Sequence, residues 1–159
     1  FILDIAVTGH RPGKLYGYNL SAPEYTILKE KLKMILKKFK ATTAYTGMAL
    51  GTDTIFANAV LDLKKEGMDI RLVAVVPCAN QDKKWSKKDQ KRYQEILQAA
   101  DEVVQLSEEE YRPELMRIRN RWLVDHAEML IAVWDGSNSG TSNCVHYAIP
   151  KIPVYRICP

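Results

Sequence analysis

Cysteine is scarce in this 159-residue chain: Cys78, Cys144 and Cys158 are the whole set, and no Cys-x-x-Cys spacing occurs. An odd, scattered set argues against a disulfide framework or a cysteine-based zinc site, and fits a reducing, cytoplasmic setting. Histidine is equally rare. His10, His126 and His146 show no His-Glu-x-x-His spacing, so no metal is expected. Excess charge is small: 23 basic against 19 acidic residues leave +4. That permits an anionic ligand without demanding nucleic acid. No apolar run approaches the ~20 residues of a membrane span. The longest, Leu72 to Pro77 and Met129 to Trp134, are strand-sized. The first residues run straight into a strand-like segment containing Asp4, so no signal peptide is expected. Neither Gly-x-Gly-x-x-Gly nor a Gly-Lys-Ser/Thr phosphate loop is present, and no cofactor is expected.

What is there is an ordinary globular balance, 47% hydrophobic and 26% charged, with no repeat and no linker. Residues 1–159 are expected to form one domain, large enough to hold a full core. Strand and helix periodicities alternate throughout. Ile2 to Val7, Thr42 to Thr46, Ile70 to Val76, Glu102 to Leu106, Met129 to Trp134 and Pro153 to Ile157 read as strands, the last at an edge. Between them lie helices. One is capped by Ser21 with Glu24 and runs to about Lys40; one is capped by Thr52 or Asp53 and ends near Gly67. Others run from Ser86 to about Ala100, Pro113 to about His126, and Gly140 to Ala148. The pattern predicts an α/β fold: a three-layer, Rossmann-like sandwich around a mostly parallel sheet of about six strands.

In such a sheet ligands bind outside the carboxyl ends of the strands. Three post-strand segments stand out there. The first is Thr8-Gly9-His10-Arg11-Pro12, where Gly9 permits close backbone approach and Arg11 offers a fork for phosphate or carboxylate. Tyr16 and Tyr18 follow, and packing is their expected role. The second is Gly47-Met48-Ala49-Leu50-Gly51-Thr52-Asp53, opening a helix. Its free N–H groups and dipole make an anion cradle, with Thr52 placed to donate and Asp53 to cap or to accept from a ribose hydroxyl. The third is Asp135-Gly136-Ser137-Asn138-Ser139-Gly140-Thr141, a second cradle before a second helix. A plain capped turn or a flexible loop would show similar residues, but two such loops on one edge reinforce each other. Elsewhere Arg117 and Arg121 share a helix face at i, i+4. Lys83, Lys84, Lys87, Lys88, Lys91 and Arg92 form a basic segment with Trp85 and Tyr93 interleaved.

These motifs, in this order, resemble the SLOG superfamily with its DprA-like and LOG branches. Gly9-His10-Arg11 is similar to its Gly-Ser-Arg, and Thr46-Gly47-Met48-Ala49-Leu50-Gly51-Thr52-Asp53 to its Ser-Gly-Leu-Ala-Arg-Gly-Ile-Asp. Arg119-Asn120-Arg121 matches Arg-Asn-Arg, and Ser139-Gly140-Thr141 matches Ser-Gly-Ser/Thr. The Thr-Gly-His-Arg-Pro start looks most like the small stand-alone YpsA/YspA-like proteins. The resemblance implies a nucleotide-derived ligand, homo-oligomers, and in the DprA-like branch single-stranded DNA binding. Leu50 and Asn138 stand where that branch has arginines, which weakens phosphate contacts. Cys144 stands at the Glu of the LOG motif, and a thiol is a poor substitute for a carboxylate facing an oxocarbenium-like charge.

The first reading is therefore a module that binds a nucleotide or nucleotide-derived small molecule. Its expected contacts are Thr8, Gly9, His10, Arg11, Gly47, Met48, Gly51, Thr52, Asp53, Arg121, Asp135, Gly136, Ser139, Gly140 and Thr141. An alternative is a hydrolase of an N-glycosidic or phosphate bond, with Asp53 or Asp135 as the catalytic carboxylate. A further alternative is weak single-stranded nucleic-acid binding by the Lys83–Arg92 segment.

Overall fold

A computed structural model describes residues 2–159. Six strands form one parallel sheet: β1 (Asp4–Gly9), β2 (Thr43–Thr46), β3 (Arg71–Val76), β4 (Glu102–Gln105), β5 (Met129–Val133) and β6 (Val154–Ile157). Their order is β4-β3-β2-β1-β5-β6. Five helices make the crossovers: α1 (Pro23–Lys38), α2 (Thr52–Lys65), α3 (Lys87–Ala99), α4 (Pro113–His126) and α5 (Gly140–Ala148). The expected Rossmann-like sandwich is what the chain forms, with every strand pair parallel.

Alternation along the strands builds the two faces. Ile5 and Val7 of β1, with Met129, Ile131 and Val133 of β5, enter a core with Leu28, Leu32 and Leu36 of α1, Phe56, Val60 and Leu63 of α2 and Ile96 of α3. Ala6, Val73, Val75 and Leu130 point the other way, against Leu123 and Val124 of α4 and Cys144 and Ala148 of α5. Both faces are therefore covered, which is why β3 beyond Arg71 and all of β5 are apolar at every position. Full burial of a leucine or phenylalanine side chain contributes about 1.5–3 kcal/mol, so Phe56, at 0% exposure, is a principal anchor of α2.

The helix starts differ from expectation in two places. Ala22, not Ser21, is the N-cap of α1, because Pro23 already fixes the first helical φ and Ser21 turns its N–H to Asn19 Oδ1 instead. Gly51, not Thr52 or Asp53, caps α2. Ser86 caps α3 as expected, accepting from the Asp89 N–H. A short 3-10 turn, Pro12–Lys14, follows β1 and was not foreseen. No helix among the described residues is long and apolar enough to cross a membrane.

Candidate functional site

The sheet order reverses at β1. The chain winds outward from β1 through β2, β3 and β4, then returns to the other side of β1 with β5 and β6. Loops leaving β1 and β5 must diverge there, and ligand crevices form at such a switch point. A crevice of about 370 Å³ opens at this place. It is lined by Thr8, Gly9, His10, Arg11, Gly13 and Lys14 after β1, by Ala49 and Asp53 before and within α2, by Met116, Arg119 and Asn120 of α4, and by Ser139, Gly140 and Thr141 at the start of α5. Tyr18 closes one side.

The β1 and β5 loops are stapled together by His10. Its N–H donates to the Val133 carbonyl at 3.1 Å, and its ring Nε2 lies 2.8 Å from Asp135 Oδ1. The Ser137 hydroxyl and N–H also donate to Asp135 Oδ1, at 2.6 and 2.9 Å. The Ser137 hydroxyl, its N–H and then His10 hold the Asp135 carboxyl well below the ordinary carboxylate range. Asp135 is thus a loop organiser, ionised at neutral pH, and does not line the crevice. Gly136 serves the same turn through its φ of +91°.

The α5 start is built to be open. Ser139 and Ser142 form a reciprocal capping box, satisfying the Ser142 and Ser139 N–H groups. The N–H groups of Gly140 and Thr141 have no intrahelical acceptor, and their residues line the crevice. This end leaves two helix N–H groups open to the crevice.

The α2 start does not. Thr52 is fully buried, and its N–H and hydroxyl both donate to the His10 carbonyl, at 3.2 and 3.0 Å. A carbonyl of the chain itself fills the cradle. Gly9 and Gly51 are what allow that contact. A Cβ on Gly9 would overlap the Thr52 side chain, and one on Gly51 (φ +87°) would lie 2.7 Å from the His10 oxygen. Gly47, Met48, Gly51 and Thr52 are therefore internal architecture of the site and line no part of the crevice. Met48 is 1% exposed and adopts a left-handed φ of +62°, its N–H held by Thr46 Oγ1.

Two buried residues of opposite charge line the crevice, without a direct contact between them. Asp53, 6% exposed, accepts from the Ala49 N–H through Oδ2. Arg119, 4% exposed, donates through Nη1 to the Gly47 carbonyl and through Nε to Asn120 Oδ1. Burial pushes the Asp53 carboxyl up, while Arg119, the Ala49 N–H and Arg11 pull it back. Burial likewise lowers Arg119, though a guanidinium keeps its charge. Arg11 is exposed at the rim and Lys14 reaches Ser137 Oγ at 3.2 Å. With Asp53 offset by Arg119, Arg11 and Lys14 leave the crevice electropositive.

Arg121, expected in the site, lies elsewhere. It lines a separate depression with Arg117, Asn143 and Tyr147, its guanidinium 5.4 Å from the Tyr147 ring centroid. Arg119 takes its place, and the sequence carried a signal for it: Leu115, Arg119 and Leu123 fall at i, i+4, i+8, an arginine within an apolar stripe. Of the two tyrosines, Tyr16 packs edge-on against Tyr25, whereas Tyr18 is 68% exposed at the crevice. Cys144, at the position of the LOG carboxylate, has a thiol pushed by burial up to about 11.

The model of the YspA SLOG family matches residues 5–154. The SPbeta prophage-derived protein YoqJ of Bacillus subtilis (strain 168) is 36% identical over 141 residues, covering 79% of this chain and 82% of YoqJ. The chain belongs to the YspA SLOG family. A more distant relative of this YspA SLOG chain is the UPF0398 protein of Bacillus thuringiensis (strain Al Hakam), 26% identical over 152 residues, 92% of this chain and 82% of that one. Among solved structures, DNA processing protein A from Helicobacter pylori, described in its single-stranded DNA binding mode, superposes with a TM-score of 0.68 at 21% identity. DprA from Streptococcus pneumoniae gives 0.70 at 20%. Each match covers 99% of this chain, which spans 66% of the first and 51% of the second. At that identity the two structures show that YspA SLOG and DprA chains share a fold.

Proposed function

We propose that this chain binds a nucleotide or nucleotide-derived small molecule in the crevice between the β1 and β5 loops. The observation that carries the reading is the crevice at the switch point, whose lining includes Gly140 and Thr141, with free helix N-terminal N–H groups, and Arg11. Helix N-terminal N–H groups and a guanidinium are the groups that bind a phosphate or diphosphate. The volume of about 370 Å³ is that of a small-ligand site. The DprA fold and its described DNA binding mode make nucleic acid the natural competitor.

The test is calorimetric titration with nucleoside diphosphates, ADP-ribose and a short single-stranded oligonucleotide, at two salt concentrations. The expected result is saturable diphosphate binding with a shallow salt dependence. Arg11→Ala is expected to weaken it at least ~10-fold, the value of one charge-assisted hydrogen bond of about 1.5–3 kcal/mol. Binding of the oligonucleotide alone, falling steeply with salt, would overturn it. Here the structure disfavours the basic segment: Tyr93 is buried, Trp85 packs edge-on against it at 5.2 Å, and Lys83 and Arg92 lie within 4 Å of Glu110 and Asp89.

A hydrolytic reading narrows to Asp53. It lines the crevice with a raised carboxyl pKa, as a general acid needs, while Asp135 is held ionised and outside. Chromatography of the bound ligand after long incubation with wild type and Asp53→Asn separates a binder from a hydrolase.

A further inference from the structure

A depression of about 300 Å³ runs along the seam between α4 and α5, beside the switch-point crevice. Arg117, Asn120 and Arg121 line it from α4, and Asn143, Cys144 and Tyr147 from α5. Arg117 and Arg121 are exposed and stand one turn apart, where like charges repel. A nearby acid would relieve that repulsion, but the acids in reach along the helix are engaged with other groups. Glu114, three residues before Arg117, accepts from Arg112 Nη1 at 2.9 Å. Asp125, four residues after Arg121, accepts from the Tyr147 hydroxyl at 2.9 Å. Neither Arg117 nor Arg121 forms an ion pair among the described residues.

A third cation adds to the two. The Tyr147 ring centroid lies 5.4 Å from the Arg121 guanidinium and 4.4 Å from Lys151 Nζ, and contact with an aromatic face holds an arginine in place. Cys144, buried in the wall, stays a neutral thiol, so it sets no negative charge against an anion. Asn120 lines the crevice as well as the seam. Its Oδ1 accepts from Arg119 Nε at 3.0 Å. A guanidinium only donates, so the amide oxygen faces Arg119 and the –NH2 group is left to donate elsewhere. The boundary between the two cavities therefore carries a donor. Cys144 and Tyr147 follow Gly140 by four and seven residues on α5, roughly 6 and 10 Å along the helix axis. That is the span of a sugar between two phosphates, and too long for phosphates joined through one oxygen.

We infer that the α4–α5 seam is a second phosphate subsite, and that the ligand carries two phosphate groups set apart by a ribose. This rests on reading the switch-point crevice as the site of the first phosphate. One phosphate sits at the N–H groups of Gly140 and Thr141 near Arg11. The sugar passes Asn120. The other phosphate takes up the charge of Arg117 and Arg121, for which the fork of a guanidinium is suited.

The test is calorimetric titration with three adenosine nucleotides: the 5′-monophosphate, the 5′-diphosphate and the 3′,5′-bisphosphate. The bisphosphate is expected to bind at least ~10-fold more tightly than the monophosphate, and more tightly than the diphosphate, whose phosphates are adjacent. Substituting both Arg117→Gln and Arg121→Gln is expected to remove that gain and to change monophosphate affinity by less than ~2-fold. Retained monophosphate binding also shows that the doubly substituted protein is folded. Equal wild-type affinity for bisphosphate and monophosphate would overturn the seam subsite and leave the crevice reading intact. So would tighter binding of the diphosphate, or a bisphosphate preference that survives the double substitution. A short single-stranded oligonucleotide is the remaining arm: affinity that grows with strand length and falls steeply with salt would assign the two phosphates to a strand and overturn the small-ligand class. Failure of all three nucleotides to bind would overturn the crevice reading and this inference together.

Discussion

Gly47→Ala tests the buried charge pair without touching either charge. Gly47 does not occupy the left-handed region, so its backbone accepts alanine. The added Cβ would instead fall on the guanidinium of Arg119. An arginine tip is flexible, so the steric overlap itself is cheap to relieve; what matters is what the tip leaves behind. Moving it forfeits a charge-assisted bond to the Gly47 carbonyl, about 1.5–3 kcal/mol. It also moves the positive charge that draws the buried Asp53 carboxyl back toward its ionised form, although no direct contact between the two is broken. Asp53 recovers part of that by taking up a proton, since burial already raises its carboxyl. The net loss is about 2 kcal/mol, and at ~2–4 °C per kcal/mol for a chain of this size the melting temperature drops by about 4–8 °C. The assay is urea unfolding of four proteins: wild type, Gly47→Ala, Arg119→Ala and the double variant. With Arg119 gone the alanine has room, so Gly47→Ala in that background is expected to cost under ~0.5 kcal/mol, a coupling close to the whole single-mutant effect. An equal cost in both backgrounds would refute the reasoning, as would a near-zero cost in the wild type.

Three further outcomes follow from the site. Gly9→Ala forces its Cβ into the Thr52 side chain, which is pinned by His10, and is expected to destabilise by about 1–3 kcal/mol as overpacking does; a neutral effect in urea unfolding would mean the α2 start is free to move. Cys158 is exposed while Cys78 and Cys144 are buried, so an aromatic disulfide reagent at pH 8 is expected to react with one thiol in the native protein and three in urea, and fast labelling of Cys144 would contradict its raised pKa of about 11. Asp135 titrates below its ordinary value of 3.8 in the folded protein, so the stability it contributes is complete above that value and is lost as pH falls through the lower folded value. Asp135→Asn is expected to flatten the acid limb of the stability–pH curve, and an unchanged limb would remove the His10–Asp135–Ser137 staple from the account.

The fold was legible because its signals are local. Apolar strands ended by Gly, Pro or Asp and helices opened by Ser86, Pro113 and Gly140 lie where the periodicity places them, within two residues at most boundaries. The crevice was half legible. Strand-end position alone picks out Thr8 to Arg11, Asp53 and Ser139 to Thr141, all of which line it. The misses have one physical cause: a loop sequence shows which donors exist but not what accepts from them. Thr52 looks like a phosphate donor until the His10 carbonyl arrives from 42 residues away. Arg121 and Arg119 are two residues apart on α4, and only the packing of the helix decides which of them lines the crevice.

The position of β1 has a consequence for synthesis. One of its edges pairs with β2, some forty residues on; the other waits for β5, with Ile5 opposite Met129. At ribosomal rates of about 5–20 residues per second, the interval between making β2 and making β5 is on the order of ten seconds. During that time the growing sheet, first β1–β2 and finally β1–β4, presents the free edge of β1 as an unpaired margin, the geometry that recruits foreign strands. Chaperone dependence and inclusion-body formation on overexpression should therefore track the β4-to-β5 stretch of the message, where slow codons prolong the wait and fast ones shorten it.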